Sequence, residues 1–224
     1  MKVCAISDLH GYLPEIQPCD LLLICGDIMP LHIQTNMVES ERWLEEIFLP
    51  WINNLPIDQA VLIAGNHDFF MERCSQKAAI LLNSRKLTYL RNMYLDYVST
   101  QGEIVTIFGT PYCKIFGSWA FMRDPDTLKE KYSEMPNRVD ILISHDAPKI
   151  GNLGAILEGS WAGEDAGNPY LAEEISFKMP RYCFCGHIHS GEHNITEYNG
   201  TKLANVSIMN ESYEPLNEPL YIEI

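Results

Sequence analysis

The chain has 224 residues, 46% hydrophobic and 21% charged, an ordinary globular composition whose length predicts a single domain over residues 1–224. Its formal net charge is -14, from 16 Lys and Arg against 30 Asp and Glu. A long nucleic acid is therefore disfavoured as a partner, because binding to a polyanion depends on clustered basic side chains.

The N-terminus and the cysteines predict the compartment. Residues 3–6 form an apolar run that is too short for the hydrophobic region of a signal peptide. No stretch approaches the ~20 apolar residues of a membrane span. Cys4, Cys25, Cys183 and Cys185 lie in apolar runs and are expected to be buried thiols of a reducing compartment. We therefore expect a cytoplasmic protein without membrane contact, and the sequence leaves its oligomeric state open.

Strand and helix signals alternate in the first half of the chain. Short apolar runs, typical of strands buried on both faces, occur at residues 2–6, 21–25 and 60–64. Residues 36–55 carry an apolar stripe at helical spacing, with Asn36 as a capping residue and Pro50 as a kink or the start of a second helix. A further helix is predicted from about residue 72 to residue 82.

The second half is richer in strand signals. Strands are predicted at residues 94–98, 103–109, 139–144, 181–185, 193–198, 202–206 and 219–223. Asn199 and Gly200 predict a hairpin turn between two of them. Residues 148–169 predict a long glycine-rich loop near the functional site, or else a surface excursion without a role. The fold class is α/β with mixed sheets.

Five apolar runs end in a polar motif. The motifs are Asp8-Leu9-His10, Gly26-Asp27, Gly65-Asn66-His67-Asp68, Ser144-His145-Asp146 and Gly186-His187-Ile188-His189. They contain five of the seven histidines of the chain. In open α/β sheets, ligands bind beyond the carboxyl ends of the strands. Each motif alone is common in loops and turns, but their joint occurrence predicts one site where these side chains meet.

The residue types in these motifs are suited to a pair of divalent metal ions. Two ions roughly 3.5–4 Å apart need a bridging ligand, and a carboxylate serves best. Asp27 is the candidate bridge. The remaining side chains offer imidazole nitrogens, a carboxylate and the amide oxygen of Asn66. This mixture suits Mn, Fe, Zn, Co or Ni, with Mn favoured, better than Ca or Mg, which prefer oxygen ligands throughout.

Taken together, the motifs resemble those of a known group, the calcineurin-like metallophosphoesterase superfamily, over nearly the whole chain. The stretches at 109–121, 144–148 and 186–220 are similar to the metallophosphoesterase-domain branch related to class III cyclic-nucleotide phosphodiesterases. Within the first stretch, Tyr112 and Lys114 depart from the pattern expected of that branch, so the resemblance leaves the substrate open.

The resemblance implies a four-layer α/β/β/α sandwich with mixed sheets and a metal site at the carboxyl ends of the strands. It also implies a role for each motif residue. One metal ion is expected to be held by Asp8, His10 and His189, and the other by Asn66, His145 and His187, with Asp27 bridging them. His67 is expected to contact the scissile phosphate and the leaving oxygen as the catalytic histidine, supported by Asp68.

The function predicted from these residues is hydrolysis of a small phosphate ester, with a phosphodiester such as a cyclic nucleotide favoured, by in-line attack of a hydroxide that bridges the two metal ions. The alternatives are a non-catalytic metal-binding or interaction module of the same fold, a nuclease, or a protein phosphatase. Four aromatic residues, Tyr112, Phe116, Trp119 and Phe121, either pack in the core or form a wall against the base of a nucleotide.

Overall fold

The computed structural model of the protein describes residues 1–157 and 161–224. Within these residues the strands are β1 (Lys2–Ile6), β2 (Cys19–Ile24), β3 (Ile57–Leu62), β4 (Leu87–Tyr89), β5 (Met93–Val98), β6 (Ile104–Thr110), β7 (Cys113–Lys114), β8 (Met122–Arg123), β9 (Ile141–Ser144), β10 (Tyr182–Cys185), β11 (Thr196–Tyr198), β12 (Thr201–Asn205) and β13 (Leu220–Glu223). The helices are α1 (Met37–Trp43), α2 (Leu49–Asn54), α3 (Phe69–Arg73), α4 (Ser75–Leu81), α5 (Pro125–Ser133) and α6 (Pro169–Lys178).

Two mixed sheets form the centre of the structure. The first has the order β13-β1-β2-β3-β4, in which only β13 runs antiparallel to its neighbour. The second has the order β11-β12-β10-β9-β6-β5, with parallel strands inside and an antiparallel strand at each edge. The predicted Asn199-Gly200 turn joins β11 to β12, and both residues have the positive φ that a tight hairpin requires.

Alternate side chains of each strand point to opposite faces of the sheet and belong to two different buried clusters. Val3 and Ala5 of β1 belong to a buried cluster that lies between the two sheets and includes Ile143 and Phe184 of the second sheet. Cys4 and Ile6 face the opposite way and belong to the cluster that the helices cover. Because successive side chains of a strand point to opposite faces, continuous apolar runs are needed to fill both layers.

The helices cover the outer faces of the sheets. The connections between strands of the first sheet contain α1 to α4, and those that lead into β9 and β10 of the second sheet contain α5 and α6. Their apolar faces, with Phe48 and Ile52 on one side and Leu128 and Ile175 on the other, join the strands in one buried cluster. This arrangement confirms the predicted α/β/β/α sandwich with mixed sheets.

The predicted helix over residues 36–55 is divided by a π-helical turn. Asn36 caps α1, because its side chain accepts hydrogen bonds from the backbone N–H groups of Val38 and Glu39. A π turn over Leu44–Phe48 then precedes Pro50, which lies in the first turn of α2. Proline has no N–H group and clashes with the carbonyl four residues earlier, so a local widening of the helix before it is expected.

Other boundaries differ from the sequence prediction. The helix predicted from about 72 to 82 is two short helices, α3 and α4, separated at Cys74. The helices α5 and α6 were not predicted. Part of the predicted loop at 148–169 is held by isolated bridges, from Pro148 to Asn168 and from Ala155 to Asp165. Residues 158–160 of that loop lie outside the described residues.

The structure bears on the cysteines and on the absence of a membrane span that the sequence predicts. Cys4, Cys25, Cys183 and Cys185 are buried free thiols, as predicted. Among the described residues, no helix is both long enough and apolar enough to cross a membrane.

Candidate metal centre

The ends of β1, β2, β3, β9 and β10 bring the five motifs to one place. Backbone hydrogen bonds join the loops that follow these strands. The N–H group of Asp8 donates to the carbonyl of Gly26 at 3.0 Å, and that of His10 to the carbonyl of Asp27 at 2.9 Å. Across the second sheet, the N–H group of Gly186 donates to the carbonyl of His145 at 3.2 Å. The sandwich therefore places motifs that are far apart in sequence in direct contact.

Four of the predicted metal ligands have a left-handed backbone. The φ angles are 54° at Asp8, 44° at His10, 54° at Asp27 and 70° at His187. Non-glycine residues rarely adopt this conformation, which costs of order 1–3 kcal/mol each and is concentrated at functional sites. The turn after each strand thus bends sharply enough to direct these side chains towards a common centre.

Two glycines allow the loops to approach the ligands closely. A methyl group added to Gly65 would collide with Oδ1 of Asp27 and with the ring of His145. One added to Gly186 would collide with the Ser7 hydroxyl and with Oδ2 of Asp8. Glycine in the GNHD and GHIH motifs is therefore required by packing around the carboxylates.

The side chains of Asp8, His10 and His189 form the first group of candidate ligands. Their ligand atoms all lie within 4.8 Å of one another. Nε2 of His189 is 3.4 Å from Oδ1 of Asp8 and 3.4 Å from Nε2 of His10. This is the set that the resemblance assigns to one metal ion.

Asp27 lies between this group and the rest of the centre. Its Oδ2 is 3.4 Å from Nε2 of His145, 3.9 Å from Nε2 of His10 and 4.0 Å from Nε2 of His67. The ligand atoms of Asp8, Asp27 and His145 also lie within 4.8 Å of one another. A single carboxylate oxygen thus faces imidazoles of both predicted ligand sets, which is the position that a bridging ligand requires.

The second predicted set is brought together less tightly. Oδ1 of Asn66 is 2.8 Å from Nε2 of His145. The ring of His187 packs against that of His145, with 5.0 Å between their centroids. Among the described residues, however, His187 belongs to neither group of side chains whose ligand atoms converge within 4.8 Å.

Neighbouring groups fix the orientation of the candidate ligands. Nδ1 of His145 donates to the carbonyl of Cys25 at 2.9 Å, and Nδ1 of His189 donates to the carbonyl of Asn210 at 2.8 Å. Oδ1 of Asp27 accepts the backbone N–H of His67 at 2.7 Å. Because Nδ1 carries the proton in both imidazoles, Nε2 keeps the lone pair that can bind a metal ion.

Oxygen and nitrogen acceptors face one another in this centre. In a neutral His189, the lone pair of Nε2 points at Oδ1 of Asp8, and in a neutral His145 it points at Oδ2 of Asp27. Two acceptors at 3.4 Å repel unless a proton or a metal cation lies between them. Since imidazole nitrogens combined with carboxylate oxygens suit first-row transition metals, the residues present fit divalent metal ions.

The electrostatics of the buried groups lead to the same conclusion. Burial alone lowers the pKa of His145, but the Asp27 carboxylate outweighs burial and raises it to about 10. Burial likewise opposes protonation of His189, whereas its bond to Asp8 raises the pKa to about 9. Burial favours the neutral form of His10 and lowers its pKa to about 4. The two buried carboxylates therefore require nearby positive charge, which either bound protons or metal ions can supply.

Asp68 lies beneath the loops and holds them together. Its carboxylate accepts backbone N–H groups from both sides of the centre, at 2.9 Å from Asp27, 3.0 Å from Met29 and 2.8 Å from Gly65. The carboxyl oxygens of Asp68 are thus directed towards the backbone that positions Asp27 and His67.

His67 lies at the edge of the centre, where neighbouring side chains contact its ring and both of its ring nitrogens. Its Nδ1 donates to Oε1 of Gln34 at 2.5 Å, and its Nε2 points towards Oδ2 of Asp27. The ring of Trp119 packs against the imidazole with 4.5 Å between centroids. Nε2 is consequently the atom of His67 that is available to a bound ligand.

Several residues around the centre were not identified from the sequence. Gln34 orients His67, the hydroxyl of Ser207 donates to Oδ2 of Asp8 at 2.7 Å, and the carbonyl of Asn210 orients His189. Tyr213 packs against His10 with 4.9 Å between ring centroids. Ser207, Asn210 and Tyr213 lie in the stretch 186–220 that carries the resemblance, but their contacts could not be predicted because each contacts a ligand that is distant in sequence.

The predicted aromatic group divides between core and site. Tyr112 and Phe121 are buried, and both belong to the core. Phe116 and Trp119 are partly exposed, and Phe116 packs against His187 with 5.2 Å between ring centroids. The core interpretation thus holds for Tyr112 and Phe121, whereas a wall against a nucleotide base stays a prediction for Phe116 and Trp119.

Comparison with known families identifies the chain. The family model described as calcineurin-like phosphoesterase matches residues 1–191. The chain therefore belongs to the calcineurin-like phosphoesterase family, which is a family of metal-dependent hydrolases, as the resemblance in the motifs predicted.

Individual relatives are distant. The chain is 27% identical over 201 residues to "Probable rhamnogalacturonate lyase C" of Emericella nidulans, covering 85% of this chain but only 17% of that protein. It is 26% identical to human "Metallophosphoesterase domain-containing protein 1", covering 99% of this chain and 70% of that protein. The crystal structure of phosphopantetheinyl hydrolase from Mycobacterium tuberculosis superposes with a TM-score of 0.58 at 14% identity, covering 92% of this chain and 89% of that one. At such identity, the structural likeness establishes the fold alone.

Proposed function

We propose that this protein hydrolyses small phosphate esters, with phosphodiesters such as cyclic nucleotides as the favoured substrates, at a centre that binds two divalent metal ions. The position of Asp27 carries the proposal. Its Oδ2 faces His145 at 3.4 Å on one side and His10 at 3.9 Å on the other. One carboxylate within reach of two ligand sets is the feature that a pair of neighbouring metal ions requires.

In this proposal the ligands divide into two sets that share Asp27. One ion would be held by Asp8, His10 and His189, and the other by Asn66, His145 and His187. When bound, divalent ions supply Lewis acidity that activates water for in-line attack and neutralises the charge of the phosphoryl group. Manganese is the favoured metal because the ligands combine imidazole with carboxylate and amide oxygens.

His67 is the proposed proton donor to the leaving oxygen. Its hydrogen bond from Nδ1 to Gln34 fixes the ring and directs Nε2 into the centre. An imidazole held in this way can transfer a proton at Nε2 as the ester bond breaks. Asp68 contributes indirectly, because it holds the backbone N–H group of Gly65 and the loop that carries His67.

The exposed aromatic side chains favour a substrate with a flat apolar group. Trp119 packs against His67, and Phe116 packs against His187. Both rings are partly open to solvent, with 36% of Trp119 and 61% of Phe116 exposed. A nucleobase or an aryl ester group placed on these rings would lie beside the phosphoryl group.

Composition supports a small substrate over a polymeric one. The net charge of -14 opposes binding of a long nucleic acid unless basic residues are concentrated at the site. We propose cytoplasmic function without a membrane partner, on the basis of the buried free thiols.

The direct test is hydrolysis of bis-p-nitrophenyl phosphate compared with p-nitrophenyl phosphate, each with Mn²⁺ and with EDTA. We expect turnover with Mn²⁺ that EDTA abolishes, and a larger kcat/KM for the diester. A larger kcat/KM for the monoester would contradict the preference for diesters. Absence of turnover with every transition metal tested, despite two bound ions, would favour the non-catalytic module instead.

A further inference from the structure

A segment near the C-terminus reaches the candidate metal centre although it lies beyond the residues that the family model matches, which end at 191. We call residues 207–214 the covering segment. Its first residue, Ser207, donates its hydroxyl to Oδ2 of Asp8 at 2.7 Å. Its Asn210 carbonyl accepts the Nδ1 proton of His189 at 2.8 Å. The segment therefore contacts two of the candidate ligands directly.

Asn210 folds the covering segment into a tight turn. Its side-chain Oδ1 accepts the backbone N–H groups of Ser212 and Glu214, both at 2.9 Å. Its own N–H donates to the carbonyl of Glu214, and its carbonyl accepts the N–H of Tyr213, again at 2.9 Å. These four hydrogen bonds leave the turn little freedom, so the position of Tyr213 is fixed by Asn210.

The backbone of Tyr213 is strained. Its φ is 60°, in the left-handed region, which is uncommon for a bulky residue. Such a conformation is unfavourable and persists only where surrounding contacts impose it. The hydrogen bonds of Asn210 impose it here, and the conformation directs the phenol ring over the candidate centre.

The ring of Tyr213 contacts three imidazoles of the centre. Its centroid lies 4.9 Å from that of His10, 5.1 Å from that of His189 and 6.3 Å from that of His67, with the rings at steep angles to one another. The tyrosine itself is 41% exposed. One part of the ring thus shields the imidazoles while the rest borders the open side of the centre.

Tyr213 and the other exposed aromatics share a contact with His67 but otherwise lie on different imidazoles of the centre. Trp119 packs on His67 and Phe116 on His187, whereas Tyr213 packs on His10 and His189. A group bound beside the phosphoryl position therefore meets an aromatic ring on the His10 side as well as on the His187 side.

From these contacts, and resting on the proposed function, we propose that Tyr213 is a specificity-determining residue whose ring limits the size of the ester group that fits above His10 and His189. Removal of the ring opens this side of the centre. The Tyr213→Ala variant then accepts bulky ester groups that the wild-type protein excludes, while small groups bind as before.

Three variants separate the ring from other contributions. Tyr213→Ala removes the ring, and Tyr213→Phe keeps it without the hydroxyl. Tyr198→Ala is the matched control, because Tyr198 is a tyrosine of similar exposure, 39%, on β11. The manganese content of every variant is measured first. If Tyr213→Ala loses its metal while the other two variants keep theirs, the ring supports the ligands, and the specificity role is overturned.

Two readouts are compared on the manganese-loaded proteins. The first is the calorimetric affinity for methylphosphonate and for 1-naphthylphosphonate. The second is kcat/KM for the methyl and 1-naphthyl esters of p-nitrophenyl phosphate. We expect Tyr213→Ala to raise the naphthyl-to-methyl ratio in both readouts by about tenfold or more, in the range that pocket size commonly contributes to discrimination. Tyr213→Phe and Tyr198→Ala should keep the wild-type ratios.

The two readouts also separate this proposal from the proposed function. If the wild-type protein binds the phosphonates but hydrolyses neither diester, the proposed function fails, and the affinity ratio still decides the role of Tyr213. An unchanged ratio in Tyr213→Ala, or an equal change in Tyr213→Phe, would overturn the role. If the wild-type protein binds neither phosphonate and hydrolyses neither diester, both proposals are overturned.

Discussion

At the scale of single residues, the centre depends on glycines that pack against the candidate ligands, as well as on the ligands themselves. Gly186 precedes His187 and lies against Asp8, where a methyl group would meet both the carboxylate and the Ser7 hydroxyl. The sequence identified this glycine as part of a motif. Its packing role follows only from the contact with the residues that follow β1, which no local pattern reveals.

Substitution of Gly186 by alanine should therefore displace Asp8 and weaken metal binding. We expect Gly186→Ala to bind less Mn²⁺ than the wild-type protein, measured by metal analysis after dialysis. Gly102→Ala is the control, because a methyl group there meets no atom within 4 Å. That control should lose some stability through its positive φ while keeping its metal. Full metal binding by Gly186→Ala would show that the close approach to Asp8 is unimportant.

His67 provides the second test at this scale. Its Nε2 faces the centre, but the assigned ligands do not include it, so His67→Ala should keep its metal and lose about 10²–10⁴-fold in kcat for a phosphodiester. The exposed histidine His32 is the matched control, and His32→Ala should retain wild-type turnover. Unchanged turnover in His67→Ala with metal bound would contradict the proton-donor role.

At the scale of secondary structure, the five strand ends were predictable and the supporting elements were not. Short, continuous apolar runs followed by polar motifs define β1, β2, β3, β9 and β10, because strands buried on both faces need apolar residues throughout. The helices α5 and α6 escaped prediction, although both begin with a capping residue followed by proline, Asp124-Pro125 and Asn168-Pro169. Their sequences are only weakly amphipathic and show no clear apolar stripe, so these helices depend on tertiary packing for their stability.

The two helix caps should differ in their contribution to stability. Asn168 caps α6 and is fully buried, and its Nδ2 also donates to Asp146 at 2.7 Å and to the hydroxyl of Tyr132 at 3.0 Å. Asn168→Ala removes the cap and leaves Asp146 with one donor fewer, which should cost about 2–4 kcal/mol of unfolding free energy. Asp124→Ala removes an exposed cap of α5 and should cost clearly less. Urea unfolding measures both, and equal losses would contradict the importance of the buried network.

The sequence predicted where the candidate residues lie better than it predicted the residues around them, and the roles of the candidates stay predictions. All nine predicted site residues lie together at the strand ends, because the motifs place them directly after strands that the sandwich brings together. Gln34, Asn210 and Tyr213 were missed since they act through long-range contacts. The left-handed φ of Tyr213 depends on the hydrogen bonds of Asn210, and such a turn is not visible in composition or periodicity.

At the scale of the whole molecule, we expect the buried carboxylates of Asp8 and Asp27 to connect metal binding to folding. Both remain anionic, because the surrounding histidines lower the pKa of each carboxyl against the effect of burial. Buried negative charge without a compensating cation opposes folding. The protein also carries a net charge of -14, which adds to the repulsion that divalent cations relieve.

Removal of metal should therefore lower the thermal stability of the protein. A ligand that binds only the folded state at a hundred times its Kd contributes about 2.7 kcal/mol per site. We expect a clearly lower midpoint of unfolding in EDTA than in Mn²⁺, measured by calorimetry. Asp27→Asn removes the shared carboxylate and should reduce this difference. An identical midpoint in EDTA and Mn²⁺ for the wild-type protein would argue against metal at this centre.

The measurement that tests the two-metal account most directly is turnover of bis-p-nitrophenyl phosphate by metal-free protein as Mn²⁺ is added in known equivalents, with bound metal counted at each step. We predict that two ions bind per chain and that most of the turnover appears as the second ion binds, because Asp27 serves both sets of ligands. Full turnover with one ion bound, or none after two have bound, would contradict the account.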